Sequence, residues 1–104
     1  MITNNDEALF FLIGSMSTPK KTKFELAVID KVREMRMKKG FSQEYIAGLL
    51  HVTTSFIGGV ESPNIASKYN LNHLNKLAHE MECSPKDFMP DKSVVENDWA
   101  ENED

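Results

Sequence analysis

Along most of this chain apolar side chains recur at spacings of three and four, the period of a helix buried on one side. Phe24, Val28, Val32 and Met35 mark one face of a first helix, and Gly40 stands where a C-terminal cap is wanted. The run "SQEYIAGLL" reads as a second helix, with Ser42 as N-cap and Ile46, Leu49 and Leu50 turned inward. Thr53 then caps a third helix over 54–61, whose inward positions are Ile57 and Val60, and Pro63 and Asn64 end it. A fourth helix runs from about Asn70 to Met81, with Leu71, Leu74, Leu77, Ala78 and Met81 on one face. Ser84 and Pro85 open a short fifth turn through Phe88, with proline at the first helical position. No strand signal interrupts this series, so the pattern predicts an all-α fold of five short helices.

The pattern changes on either side. Residues 1–19 form an N-terminal arm whose run "ALFFLI", Ala8 to Ile13, is too apolar to leave in water and too short to fold alone. It suits a dimerisation segment packed on a second copy of the chain, or a cover for the domain's own core. Residues 91–104 form an acidic tail without helical periodicity apart from one tryptophan, expected to be largely disordered. The domain proper is therefore placed at 20–90.

Composition narrows the class. Acidic Asp6 and Glu7, not a basic segment, precede the apolar run of the arm, which argues against a secretory leader. No apolar stretch approaches the roughly 18 residues that a membrane span needs. A single cysteine forms no internal disulfide. The expectation is a cytoplasmic protein without a membrane partner.

The net charge of -4 conceals an asymmetry. Between residues 20 and 39 stand eight basic residues against three acidic ones, a net +5. From Glu82 onward eight acids face only Lys86 and Lys92, a net -6. A basic segment followed by a near-neutral middle and an acidic tail is a different electrostatic object from a uniformly acidic protein, one whose tail is able to lie over the positive segment as a tethered polyanion.

The residues of the middle carry a specific likeness. "GFSQEYIAGLLHVTTSFIGGVE" resembles the helix-turn-helix of the Cro and phage-repressor type, the XRE family. The likeness extends to "VREMRMKKG" as that family's first helix and to "LNHLNKLAHEMECSPKDF" as its fourth and fifth, about 70 residues in all. It implies a sequence-specific, repressor-like transcriptional regulator that binds double-stranded DNA as a homodimer, with helix 54–61 reading the major groove. Thr53, Thr54 and Ser55 then face base edges, with Gly58 and Gly59 one turn later on the exposed side. Gln43 matches the position where the family holds a phosphate, helped by the positive end of the helix dipole. Lys38 and Lys39 supply further phosphate contacts, and Lys20, Lys21 and Lys23 form an arm along the backbone. Arg36 and Glu61 match a pair that ties the first helix to the end of the third. Ala47 lets the two helices of the motif cross closely, and Val52 plugs the turn. His51 stands where the family usually has glycine, so either His51 takes a left-handed conformation or the turn differs.

The reader helix is unusual, because "GG" in a helix interior costs about 1 kcal/mol per glycine. With no arginine, lysine or glutamine of its own, it offers hydroxyls, methyl contact with thymine, and a close approach of bare backbone. A degenerate helix that no longer reads DNA is the plain alternative. A second class of function keeps the fold as a protein-interaction module, such as the antitoxin of a toxin and antitoxin pair, with Trp99 of the acidic tail as anchor. His79 and Cys83, four apart, lack a second pair and predict no metal site. No nucleophile, base and orienter stand in recognisable order, so neither an enzyme nor a cofactor is expected.

Overall fold

A computed structural model describes residues 21–99. The apolar arm at 1–19, Lys20 and the last five residues of the tail lie outside the described residues. Within them the chain forms four α-helices and one 3-10 turn: α1 (Lys23–Lys38), α2 (Gln43–Leu50), α3 (Thr54–Glu61), α4 (Leu71–Glu80) and the turn Pro85–Phe88. The all-α reading holds, and the fifth helix is corrected to a 3-10 turn. Pro85 opens that turn and Ser84 caps it, as the sequence predicts.

Every helix starts on a side-chain cap. The Thr22 hydroxyl accepts the Glu25 amide while Glu25 reaches back to the Thr22 amide, a reciprocal box at the head of α1. Ser42 and Thr53 cap α2 and α3 by accepting the amides of Tyr45 and Phe56. Asn70 and His73 form the box of α4.

Three of the helix ends share one device. Gly40, His51 and Glu82 are the described residues with positive φ, at 74°, 59° and 58°. Each is followed by a residue whose amide reaches back five positions: Phe41 to Arg36, Val52 to Ala47, and Cys83 to Ala78. That is the Schellman arrangement, in which one left-handed residue lets two otherwise orphaned carbonyls find donors. Phe41, Val52 and Cys83 pack against the core, so each helix end is pinned by the apolar residue just beyond it. His51 thus takes the left-handed conformation that glycine supplies elsewhere, and the turn of the motif is kept.

The core gathers Val28, Ile29 and Val32 of α1, Ile46 and Ala47 of α2, Ile57 and Val60 of α3, Leu74, Leu77 and Ala78 of α4, Met81, and Phe88 of the final turn. Ala47 is 2% exposed, as a close crossing of α2 and α3 requires. Two expected core residues are corrected. Phe24, at 38% exposure, lies in the first turn of α1, ahead of the stretch the other helices cover, and Ile29 takes the inward place. Leu71, at 79%, opens α4 before that helix reaches the bundle.

The tail is corrected as well. The Glu96 carboxylate is buried and accepts hydrogen bonds from the amides of Lys23 and Phe24, at 2.8 and 2.9 Å. These are orphan donors in the first turn of α1, where the helix dipole also favours negative charge. The stretch around Glu96 is therefore seated on the domain. Among the described residues no helix is long and apolar enough to cross a membrane.

Candidate nucleic-acid interface

The second and third helices form two short rods joined by a tight left-handed turn at His51. Thr53, Thr54 and Ser55 are all exposed at the N-terminus of the second rod. Thr53 uses its hydroxyl oxygen on the Phe56 amide, at 3.0 Å, and keeps its methyl and its proton for other partners. Thr54 and Ser55 add two more hydroxyls on the first turn of α3.

The far end of α3 is held by a buried ionic knot. Arg36, nearly buried, donates from Nε to Glu61 Oε2 at 2.8 Å and from Nη2 to Glu61 Oε1 at 3.0 Å, a bidentate fork. Its Nη1 donates to the Phe41 carbonyl at 2.7 Å. Gln43 Nε2 donates to Glu61 Oε1 at 2.8 Å, and Arg33 stands 3.7 Å from the same oxygen. One carboxylate thus joins α1, the head of α2 and the tail of α3, which sets the angle at which α3 is presented. The tie between Arg36 and Glu61 is the one the resemblance implies, while the engagement of Gln43 with Glu61 was not legible. Gln43 keeps its second amide hydrogen, and the amides of the first turn of α2 lie beside it.

The two glycines differ. Both are partly buried, where the sequence expects them on the exposed side. A methyl group on Gly58 would meet only Gln43 Oε1, at 3.8 Å. On Gly59 it would stand 3.2 Å from Ile65 Cγ2 and 3.3 Å from Ser67 Oγ. The loop after α3 folds back over its last turn, and it comes this close only because position 59 has no side chain.

The basic residues also divide. Lys38 and Lys39 close α1 and are exposed, with Lys38 3.9 Å from Glu34. Lys23 is exposed at the start of α1. Lys21 is 2% exposed and turned inward, its ammonium donating to the carbonyls of Gly59, Ser62 and Ile65. As a member of a phosphate-binding arm it is corrected, since all three of its protons serve the end of α3. His79 is exposed, and burial, with Asp87 nearby, pushes the Cys83 thiol up from its ordinary value.

This arrangement, a capped helix presenting hydroxyls from its first turn and fixed at its last by a buried pair, defines a helix-turn-helix protein. Among solved structures, the restriction-modification controller protein C.AhdI from Aeromonas hydrophila is 32% identical, with a TM-score of 0.51, over 62% of this chain and 96% of that one. The chain belongs to the XRE family of Cro and phage-repressor-type helix-turn-helix proteins. An HTH_3 family transcriptional regulator from Vibrio cholerae is 25% identical, with a TM-score of 0.52, over 62% of this chain and 35% of that one. The hydroxypropylphosphonic acid epoxidase from S. wedmorenis shares the fold at 17% identity and a TM-score of 0.58, over 67% of this chain and 36% of that one. No family model and no curated protein matches the chain.

Proposed function

We propose that this protein is a transcriptional regulator that binds double-stranded DNA sequence-specifically, with α3 in the major groove and a second copy of the chain on the other half of a palindromic site. The observation that carries the reading is the row of exposed hydroxyls, Thr53, Thr54 and Ser55, at the N-terminus of an α3 whose far end is locked to α1 by Arg36 and Glu61. The roles of two similar proteins, a restriction-modification controller and a transcriptional regulator, support it. Recognition is then a matter of hydroxyl hydrogen bonds and methyl contact with thymine, supplemented by phosphate contacts at Gln43, Lys38 and Lys39.

Selection of bound duplexes from a random pool tests this directly. A consensus with two-fold symmetry is the expected result, and enrichment of no sequence refutes it. On the selected site, Ser55→Ala and Thr54→Val each weaken binding by about tenfold, the worth of one hydrogen bond lost from an interface. Replacing Lys38 and Lys39 together with alanine flattens the dependence of log affinity on log salt by up to about 1.8, from about 0.9 per phosphate contact.

A second reading, the interaction module of an antitoxin type, draws on one observation: Trp99 of the seated tail, 49% exposed, lines one surface cleft with the exposed Phe24. Random-duplex selection without a consensus, together with a partner lost on Trp99→Ala, favours it.

A further inference from the structure

We propose that Lys21 is a positioning residue for the reader helix, its buried ammonium closing the C-terminal end of α3 onto the start of α1. The proposal rests on the DNA-binding reading of α3.

A helix ends with carbonyls that have no partner within it and with the negative end of its dipole. In α1, α2 and α4 the left-handed caps deal with this. The end of α3 has no such cap: Ser62, the residue after it, is extended, at φ -92° and ψ 125°. The chain goes into an irregular loop whose carbonyls point together. The Lys21 ammonium stands where they converge and donates to Gly59, Ser62 and Ile65. An ammonium has three protons, and here each has one acceptor, so the geometry satisfies the group in full. Lys21 lies two residues before α1, with Thr22 as N-cap between. The same loop is tied again to α1 by Lys68 and Glu25, 2.9 Å apart. Arg36 and Glu61 join α3 to the other end of α1. The reader helix is thereby braced from both ends of α1, and its tilt is set by two cations that do not reach DNA.

A brace and a phosphate contact predict different salt behaviour. Removing a phosphate contact lowers the slope of log affinity against log salt by about 0.9, whereas removing a brace lowers affinity at every salt concentration alike. Lys21→Met keeps the aliphatic stem and removes the ammonium. The first measurement needs no DNA: amide hydrogen exchange of the full chain, well below its melting temperature. The amides of Ser62 and Ile65, which donate to the carbonyls of Gly59 and Ser62, should exchange at least about tenfold faster, while those in the middle of α4 keep their rates. The second is titration of the selected duplex over a range of salt, where affinity falls about tenfold with the slope unchanged. Lys21→Arg, which retains the charge and several donors, restores part of both. Should Lys21→Met fail to fold, Lys21→Gln, with one donor group left, takes its place in both measurements. Unchanged exchange at Ser62 and Ile65 overturns the proposal, as does a slope lower by about 0.9, which would make Lys21 a phosphate contact. So does faster exchange across the whole domain without a local excess. If the unaltered protein binds no duplex while the local exchange effect is present, the DNA reading fails and the brace stands as a feature of the fold.

Discussion

Alanine at each of the two adjacent glycines of α3 should give opposite lessons. At Gly58 the new methyl meets Gln43 Oε1 at 3.8 Å, an ordinary contact, so the substitution gains close to the full helix-propensity difference of about 1 kcal/mol. For a domain of roughly this size that raises Tm by about 4–8 °C. At Gly59 the same propensity gain meets opposition. The methyl would lie 3.2 Å from Ile65 Cγ2 and 3.3 Å from Ser67 Oγ, so both must yield by a few tenths of an ångström. Ile65 is half-exposed at its side chain, but its carbonyl is held by Lys21, and the loop is not free to swing away. Overpacking of this kind costs on the order of 1 kcal/mol, which cancels the gain. Thermal unfolding followed by circular dichroism should therefore show Gly58→Ala well above the unaltered protein and Gly59→Ala close to it or below. An equal rise for both variants refutes the reasoning, since it would mean that the loop over Gly59 yields without cost. DNA titrations on the same two proteins address the groove. A stabilised Gly58→Ala that has lost specific affinity would place that backbone close to the bases.

Other expectations follow from the helix ends and the tail. His51→Gly and Glu82→Gly each relieve a left-handed side-chain residue and should raise stability by up to about 1 kcal/mol, read as a higher Tm; a lower Tm at either position contradicts the cap geometry. Glu96→Ala leaves the amides of Lys23 and Phe24 without their carboxylate and should lower stability by about 1–2 kcal/mol in denaturant titration, whereas a tail without a seat predicts no change. Burial works to raise the Glu25 carboxyl, but the Thr22 amide and the Lys68 ammonium outweigh it and hold the group below its ordinary value of 4.5. A depressed carboxyl contributes stability that is present above its unfolded value and lost as pH falls through the folded one. Melts across the acid range should show the unaltered protein losing more stability below about pH 4.5 than Glu25→Gln does, and parallel losses would contradict this.

The sequence by itself determined the helices, because periodicity and caps are local. The spacing of Val28, Val32, Ile46, Ile57, Val60, Leu74 and Leu77 assigns each helix its buried face, and Ser42, Thr53 and Ser84 mark three of the starts, while the caps at Thr22 and Asn70 emerged with the structure. The motif around Ala47 and Val52, like the tie from Arg36 to Glu61, is legible through the family resemblance and not through periodicity. Tertiary structure decided the places where a residue's partner lies far along the chain. Lys21 reads as one more member of a basic run until the loop after α3, some forty residues on, brings three carbonyls together around it. Glu96 reads as one acid in a solvated tail until the first turn of α1 supplies two free amides. Phe24 and Leu71 keep the right period yet stay exposed, because periodicity assigns a face to a helix and cannot say how far along that face a neighbour reaches. Gly59 is the sharpest case. Nothing near it in sequence asks for glycine, and only the return of Ile65 and Ser67 over the last turn of α3 makes the place tight for a side chain.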